Sequence, residues 1–425
     1  MTTVAHAALR EIVLARPAWE RALRDMLTRP DRFAVGRCRR NPHDETLELL
    51  VETLEIVDEL PTGKERPPLA DWVVLAVPDA TRSSQAAAWI KHLWPRPSQL
   101  LAILLVGFGP QRSHWDGIVT QDGQSYPLDA LRVIGPGMLQ ARREVTDVVE
   151  PFESTDDRWS RTRGALGADV WHKAAESRVM LFGAGRNGSA IAFQLVALGV
   201  RSLTIVDPDH VGPENLDASY TILEADVGRP KAMALQERLL AFRSDCAITA
   251  IPHSVTHGQV VEQARNVDLI VSCVDNDTPR LAAAMLAHRF LKVHLDVGTA
   301  VMTDESAPDR RTLTGDVRLL LPQQGCVCCV GGLSREVDAR YELMTPPGAL
   351  PRRAKPVWHE ERAGSLITIN ALAVSTGLQL WLDLLAGTVR NSQWHRLQWQ
   401  NGFGLEVNAA AVAALRECEV CQVQT

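Results

Sequence analysis

A glycine-rich turn between a buried strand and a helix is the feature that most constrains the fold of this chain. Residues 178–182 are predicted as the strand, residues 188–198 as the helix, and the turn between them has the sequence GAGRNG. In such a turn the first glycine, Gly183, permits the tight bend. The second, Gly185, lets the backbone approach a phosphate, and the third, Gly188, lets the helix pack closely. The helix N-terminus adds unpaired amides, so the turn predicts a nucleotide site.

Strands and helices continue to alternate after this turn. The predicted strands are residues 202–206, 247–251, 267–273 and 292–296, and the predicted helices are residues 231–242, 260–264 and 280–291. Repeated strand–helix units predict an α/β fold, a Rossmann-like, doubly wound and mostly parallel sheet. Asp207 ends the second strand nineteen residues after Gly188, where a ribose-binding carboxylate is expected.

A polar, charged stretch at residues 150–164 (EPFESTDDRWSRTRG) is predicted to connect two domains, residues 1–150 and residues 151–425. In the first domain, apolar residues have helical spacing over residues 7–27, and strand-like runs cover residues 46–57, 72–77 and 100–108. A helix that includes residues 86–89 is predicted between the last two runs. These elements predict a smaller α+β domain ahead of the doubly wound one.

Composition excludes several classes of protein. The 425 residues are 46% hydrophobic and 23% charged, as in ordinary globular proteins, and the net charge of -6 argues against broad binding to nucleic acid or to an anionic membrane. The longest apolar stretch, residues 366–386, contains six polar residues and is predicted as a buried helix, not a membrane span. The first ten residues lack the pattern of a signal peptide, so we expect a cytoplasmic protein.

The residues that follow Asp207 distinguish between nucleotides, since a NAD-dependent dehydrogenase would also have the turn and the acidic residue. The runs IVDPDHVGPENLDASY, DVGRPKA and IVSCVDNDTPR occur in that order. In sequence and spacing they closely resemble the ubiquitin-activating superfamily of the ThiF, MoeB and HesA type, over approximately residues 158–421. The resemblance implies an enzyme that adenylates a carboxylate with ATP.

The resemblance also implies roles for individual residues. Asp207 and Asp209 match the acidic pair after the second strand, of which the first holds the ATP ribose. Asn215 matches an asparagine near the phosphates, Lys231 a lysine that contacts phosphate, and Asp275 the aspartate that holds Mg²⁺. Such a set suits attack on the α-phosphorus, which needs alignment and charge neutralisation more than proton transfer.

The arginines depart from the family pattern. Arg161 matches an arginine that in family dimers reaches the partner subunit's nucleotide, so a homodimer is expected. An arginine and a glutamine are expected where this chain has Ala218 and Ser219, and Arg186 stands in the glycine-rich turn at a position that is normally small. Either Arg186 supplies the missing guanidinium, or the site is slow or inactive. The retained lysine and metal-binding aspartate favour activity.

Four of the eight cysteines form two CxxC pairs, Cys326 with Cys329 and Cys418 with Cys421. Four thiolates in this arrangement predict a closed tetrahedral Zn²⁺ site, which the resembling family often has. Cys328 either replaces a neighbour as a ligand or remains a free thiol.

Enzymes of this superfamily that pass a ubiquitin-like protein to a conjugating enzyme usually have a catalytic cysteine between the zinc pairs. Residues 330–364 contain no cysteine, although the charged, proline-rich run at residues 345–358 has the position of such a crossover loop. Three explanations stay open. The reaction stops at the acyl-adenylate, Cys328 is the nucleophile, or a substitution has replaced the loop cysteine, with Ala349 and Ala354 as candidates. Cys273, in an apolar run, is predicted to be a core residue.

The segment at residues 32–60 weakly resembles the opening of a JAB/MPN domain, the metalloprotease fold that cleaves ubiquitin-like chains. Ser113 and Asp116 have that family's Ser-x-x-Asp spacing, but no His-x-His pair precedes them. His114 is therefore predicted as a surface or core residue. A degenerate domain that binds a partner or shapes the dimer is expected.

Four hypotheses about function remain. The first is activation of a ubiquitin-like protein in a bacterial conjugation system, with or without thioester transfer to a conjugating enzyme. The second is adenylation of a sulfur-carrier protein in thiamin or molybdopterin synthesis. A NAD-dependent oxidoreductase and a scaffold with a decayed nucleotide site are the others.

Overall fold

The computed structural model describes thirteen segments of the chain: residues 9–29, 32–43, 46–58, 71–76, 100–108, 113–121, 124–142, 157–217, 221–304, 307–333, 336–345, 366–400 and 403–421. The chain divides into two compact units, Met1–Glu153 and Ser154–Thr425. Each unit has a sheet of its own.

The first unit contains a mixed sheet. Its strands are β1 (Leu9–Ala15), β2 (Phe33–His43), β3 (Thr46–Val51), β4 (Glu55–Val57), β5 (Asp71–Ala76), β6 (Leu100–Phe108), β7 (Ser113–Gln121), β8 (Gln124–Pro127), β9 (Ala130–Ile134) and β10 (Leu139–Arg142). The order across the sheet is β10-β9-β1-β3-β2-β5-β6-β7-β8, and β4 pairs with β2. Helix α1 (Arg16–Thr28) packs Trp19, Ala22 and Met26 into the core on one face of this sheet.

Two predictions for this unit are wrong. Residues 9–15, predicted as helical, form β1, and α1 begins only at Arg16 with Pro17 in its first turn. The reason is tertiary, because β1 lies inside the sheet between β3 and β9 and is buried from Arg10 onward. A strand covered on both faces loses the alternation that distinguishes it from a helix.

The run at residues 46–57, predicted as one strand, is interrupted between β3 and β4. The amides of Glu52 and Thr53 both point to the carbonyl oxygen of Arg37, at 2.9 and 3.5 Å, and this turns the chain out of the ladder. The predicted helix at residues 86–89 lies outside the described residues.

The second unit alternates strands and helices. Its elements are α2 (Ser160–Leu166), α3 (Ala168–Glu176), β11 (Arg178–Phe182), α4 (Arg186–Leu198), β12 (Ser202–Val206), α5 (Lys231–Phe242), β13 (Ala247–Ile251), α6 (Gly258–Arg265), β14 (Leu269–Ser272), α7 (Asp277–Arg289), β15 (Val293–Asp304), β16 (Ala307–Leu320), α8 (Glu336–Met344), α9 (Ile367–Ala386), β17 (Gln393–Gln400) and β18 (Gly404–Ala411). The predicted α/β class with a mostly parallel, Rossmann-like sheet is confirmed. Helix α7 begins three residues earlier than predicted, with Pro279 in its first turn.

The order in this sheet is β13-β12-β11-β14-β15-β16-β17-β18. The strands from β13 to β15 are parallel, and β16 to β18 add antiparallel neighbours. Strands β12 and β13 follow on one side of β11. The chain then crosses over, and β14 lies on the opposite side of β11. This reversal leaves a crevice at the carboxyl ends of β11 and β14, where ligands of such sheets bind.

Helix α9 is long and apolar enough to cross a membrane by length and composition alone, with a mean hydropathy of 1.3. In the fold, 61% of that window is buried, and the helix packs against β15, β16 and α4. Its Trp381 is 1% exposed. The helix is therefore part of the core of the second unit.

Candidate functional site

Three loops that carry predicted site residues leave the sheet side by side. Phe182 at the end of β11 is in register with Val206 of β12 and with Ser272 of β14. The segments that follow these strands carry the glycine-rich turn, Asp207 and Asp275. Since the strands are parallel, all three segments meet at the same edge of the sheet.

Steric contacts require two of the three glycines in the turn. Gly183 has φ +92°, and a Cβ there would lie 2.6 Å from the carbonyl oxygen of Cys273. A Cβ on Gly188 would lie 1.8 Å from the carbonyl oxygen of Gly183, so only glycine lets α4 approach the turn. A Cβ on Gly185 would meet no described atom within 4 Å. The turn is open at Gly185, on the side where a phosphate would approach.

Asp207 is 5% exposed and joins the end of β12 to the turn. One carboxylate oxygen accepts a hydrogen bond from the amide of Ala184 at 2.6 Å, and the other accepts from the amide of Asp209 at 2.8 Å. Burial raises the pKa of Asp207, and these amides and Lys231 oppose the rise. A carboxylate has about four acceptor positions, so it can still receive the hydroxyl groups of a ribose.

Lys231 begins helix α5 and faces Asp209. Its Nζ lies 3.1 Å from Asp209 Oδ2, and its amide donates to the carbonyl oxygen of Asp209 at 2.8 Å. The Asp209 side chain is 68% exposed, so the ion pair is screened and weak. A phosphate can therefore replace this carboxylate as the partner of the lysine. Asn215 has a local role, because its Oδ1 accepts from the amide of Gly212 at 2.9 Å.

Arg186 reaches from the turn to the segment that precedes Ala218. Its Nη2 lies 2.7 Å from Asp217 Oδ1 and 3.3 Å from the carbonyl oxygen of Glu214. The Asp217 side chain is 71% exposed. The guanidinium thus lies beside the turn with a partner that a ligand can displace, while Ala218 and Ser219 lie outside the described residues.

Asp275 and Arg161 are both exposed. Within the described segments, neither side chain makes a hydrogen bond or an ion pair. Asp275 follows β14 at the edge where the turn lies, whereas Arg161 lies on α2 ahead of the sheet. The roles of both residues stay predictions.

A buried ion network behind the β14 loop was missed by the sequence analysis. Asp296 is fully buried and accepts hydrogen bonds from Ser272 Oγ at 2.6 Å, Arg280 Nε at 2.9 Å and Arg318 Nη1 at 2.7 Å. Burial opposes ionisation, but the two guanidinium groups lower the pKa of Asp296 to about 2. Burial lowers the pKa of the adjacent His294 to about 4. The available signal was an aspartate and a histidine within an apolar strand, HLDV.

The four cysteines predicted as zinc ligands are brought together, with all four Sγ atoms within 4.8 Å of one another. The Sγ–Sγ distances are 3.9 Å for Cys326–Cys329, 3.5 Å for Cys326–Cys418 and 3.6 Å for Cys329–Cys421. A tetrahedral ion with Zn–S bonds of about 2.3 Å separates its sulfur atoms by roughly 3.8 Å. The cluster therefore has the size of a Zn²⁺ site.

Protonation of these thiols also fits a bound cation. Hydrogen bonds from Cys328 and Cys421 lower the pKa of Cys326, whereas a hydrogen bond to Cys326 and burial raise the pKa of Cys421, and burial raises the pKa of Cys418 to about 11. Ionisation of Cys326 therefore keeps its neighbours protonated, and all four thiols can ionise together only when a cation neutralises the group. Cys328 lies in the same turn and hydrogen-bonds to Cys326.

Two further predictions concern single residues. Burial raises the pKa of the Cys273 thiol, which makes it a poor nucleophile. In the first unit, the side chains of Ser113 and His114 lie outside the described set, and the carboxylate of Asp116 accepts from the amide of Gly117 at 2.8 Å. The assignment of a degenerate JAB/MPN domain stays a prediction.

Comparison with known proteins identifies the family. The model of the ThiF family matches residues 159–401, more than half of the chain. This chain belongs to the ThiF family. The match covers the glycine-rich turn, Asp207, Lys231, Asp275 and the first of the two cysteine pairs.

Two ThiF relatives are sulfur carrier protein ThiS adenylyltransferases. The chain is 28% identical to that of Escherichia coli (strain K12) over 249 residues, which are 57% of this chain and 90% of the relative. It is 36% identical to that of Bacillus subtilis (strain 168) over 128 residues, 29% of this chain and only 38% of the relative. Among solved structures, E. coli MccB with ATP is 17% identical, with a TM-score of 0.46, over 63% of this chain and 74% of that one.

Alanine substitutions at Gly188 and Gly185 distinguish an effect on the stability of the protein from an effect on ATP affinity. We expect Gly188→Ala to destabilise the protein by roughly 2 kcal/mol or more, because the new methyl group collides with backbone. Gly185→Ala enters open space, so its effect on stability stays within about 1 kcal/mol, but the methyl group obstructs a phosphate and lowers ATP affinity. Urea denaturation and ATP titration of both variants check this. Normal ATP affinity in a stable Gly185→Ala protein would contradict the placement of the phosphates.

The metal content of cysteine variants tests the four-thiol cluster. Cys326→Ser and Cys418→Ser remove a ligand, and we expect bound zinc to fall from one ion per chain towards none. Cys246→Ser is the matched control, since Cys246 is buried elsewhere in the same unit. Elemental analysis of the purified proteins gives the answer. Unchanged zinc in both ligand variants would refute the assignment.

Proposed function

We propose that this chain uses ATP to adenylate the C-terminal carboxylate of a ubiquitin-like protein and releases pyrophosphate. The grouping of four features at one sheet edge carries the proposal. They are a turn that is open at Gly185, the buried carboxylate of Asp207, Lys231 with an exposed counter-ion, and the exposed Asp275, which has no partner among the described residues. An oxidoreductase would need only the first two, and the Escherichia coli and Bacillus subtilis relatives are ThiS adenylyltransferases.

In the proposed reaction, a carboxylate oxygen of the carrier protein attacks the α-phosphorus of ATP. The bond from this phosphorus to the oxygen that bridges to the β-phosphate breaks, and pyrophosphate leaves. Asp207 orients the ribose, the turn amides receive phosphate oxygens, and Lys231 exchanges Asp209 for phosphate charge. Mg²⁺, for which Asp275 is the proposed ligand, would neutralise the departing pyrophosphate.

Arg186 is proposed as a second positive charge at the phosphates. Its ion pair with the exposed Asp217 holds the guanidinium beside the turn. Exchange of this exposed partner for phosphate costs little, because a surface ion pair contributes only about 0–1 kcal/mol. The competing hypothesis of a decayed site has the absence of an arginine at Ala218 in its favour, whereas Arg186, Lys231 and Asp275 together favour activity.

The cysteine cluster is proposed as a structural zinc site. It connects residues that lie 92 positions apart, Cys326 with Cys418 and Cys329 with Cys421. A closed site with four protein ligands leaves no open position for substrate, as in structural zinc centres.

The identity of the carrier protein separates the two leading hypotheses. Our first hypothesis is a bacterial ubiquitin-like conjugation system, with a conjugating enzyme as a further partner. The second, a sulfur-carrier protein, is favoured by the relatives named ThiS adenylyltransferase and by the absence of cysteine from residues 330–364. A carrier adduct that dithiothreitol cleaves, and that Cys328→Ser abolishes, would favour thioester transfer. Adenylation without such an adduct would favour the sulfur carrier.

We also propose that the enzyme is cytoplasmic and forms a homodimer in which Arg161 reaches the partner subunit's nucleotide. The exposed position of Arg161 on α2 supports this. The net charge of -6 supports a protein partner in preference to nucleic acid or an anionic membrane.

Exchange of labelled pyrophosphate into ATP tests the proposed reaction. With a carrier protein that ends in glycine, we expect exchange in the wild type and a loss of roughly a hundredfold or more in Lys231→Ala and in Asp275→Asn, because each removes charge stabilisation at the transition state. Lys173→Ala is the control. Lys173 pairs with its helical neighbour Asp169 at 2.7 Å on α3, which precedes the amino end of β11, whereas the glycine-rich turn follows the carboxyl end. The absence of exchange with every such carrier, together with no binding of ATP, would overturn the proposal.

A further inference from the structure

The loop that carries Asp275 is held from within the protein by Arg280. This loop, residues 273–276, connects β14 to α7. Nη2 of Arg280 donates to the carbonyl oxygen of Val274 at 2.8 Å, and Nε of the same guanidinium donates to Asp296 at 2.9 Å. Because the guanidinium is planar and rigid, it fixes the peptide group before Asp275 relative to β15.

Asp296 is a firm anchor for this contact. It is fully buried and lies in register with Ser272 on β14 and with Arg318 on β16, and it accepts a hydrogen bond from each. Buried charges that are paired and hydrogen-bonded stay in place, since the loss of a partner leaves an unpaired charge in the core. Arg280 is therefore held by a carboxylate in the interior of the sheet, not by a mobile group on the surface.

The surroundings of Arg280 leave room for this contact. A Cβ on Gly298 would lie 3.3 Å from Arg280 Nη2, so a larger residue on β15 would press on the guanidinium. Asp277, in the first turn of α7, lies 3.6 Å from Nη1. Asp275 has no partner of its own within the described part of the chain. Its direction therefore depends on the backbone that Arg280 holds.

We propose that Arg280 is a positioning residue that aims the Asp275 carboxylate at the metal–nucleotide complex. This inference rests on the proposed function, in which Asp275 binds the Mg²⁺ of MgATP. Arg280 does not itself touch the nucleotide. Its hydrogen bonds to Asp296 and to the Val274 carbonyl fix the loop relative to the sheet, and this sets the position of Asp275.

The Arg280→Lys variant tests the proposal while it keeps the positive charge beside Asp296. A lysine ammonium is a compact point charge and cannot hold both the Asp296 carboxylate and the Val274 carbonyl in the arginine geometry. Calorimetric titration with ATP, in Mg²⁺ and in EDTA, gives the affinity gained from the metal. We expect that gain to fall roughly tenfold or more, as when a residue behind a metal ligand is lost. Affinity in EDTA stays unchanged.

Arg318→Lys is the matched control. Arg318 lies on β16 and pairs with the same carboxylate at 2.7 Å. Its side chain is 6% exposed, against 12% for Arg280, and it otherwise contacts Asp316 and the ring of Trp394. We expect this variant to lose thermal stability but to keep the wild-type gain from Mg²⁺. A normal gain in Arg280→Lys would overturn the proposal, and so would an equal loss of the gain in Arg318→Lys.

Asp275→Asn separates this inference from the proposed function. If Asp275→Asn loses the gain from Mg²⁺ while Arg280→Lys keeps it, the positioning role alone is wrong. If Asp275→Asn keeps the gain, the metal role of Asp275 is wrong, and the inference falls with it. Loss of the gain in both variants, with the Arg318→Lys control intact, supports the inference.

Discussion

Two backbone amides donate hydrogen bonds to the Asp207 carboxylate. The candidate nucleotide site, at the carboxyl ends of β11, β12 and β14, depends on this interaction. It connects the end of β12 to the turn after β11 and satisfies the buried amide of Ala184. A buried amide without a partner costs about 1–3 kcal/mol, so the turn has one preferred conformation. Gly183 and Gly188 remove the steric obstacles to that conformation, and Gly185 leaves its open side free.

The remaining features of the second unit support this edge from two directions. Asp296, between Arg280 and Arg318, holds the loop after β14 to the antiparallel half of the sheet. The cysteine cluster places Cys418 and Cys421 beside the turn after β16, where a bound Zn²⁺ would join the two segments. Both supports join segments far apart in sequence. The carboxyl ends of the parallel strands therefore lie next to segments that long-range contacts fix in position.

Local patterns predicted the parallel strands of the second unit and the helices between them, but not the antiparallel strands β16, β17 and β18. A hydrophobic strand, a glycine-rich turn and a helix are local in sequence, and β11 and the core of α4 lie where the pattern predicted them. The helical prediction for residues 9–15 was wrong because burial between β3 and β9 overrode the local spacing. The Asp296 network could not be predicted either, because its meaning depends on the register of β14, β15 and β16.

The candidate site was predicted mainly through the family resemblance. Residue spacing alone predicted the turn and Asp207, and two CxxC pairs predicted the metal cluster. The partners of Arg186, which are Asp217 and the Glu214 carbonyl, emerged only from the fold. The same is true of Arg280, whose side chain donates a hydrogen bond to the backbone carbonyl of Val274, a contact that no residue pattern predicts.

Titration of the wild type and of Asp207→Asn with ATP and with NADH tests the central claim most directly. The amide side chain of the variant would keep one acceptor oxygen but place an NH₂ group against an amide donor or against the ribose. The account predicts one ATP bound per chain, a loss of affinity in the variant of roughly tenfold or more from the unpaired polar groups, and no binding of NADH. Saturable binding of NADH that Asp207→Asn abolishes, with no binding of ATP, would contradict it.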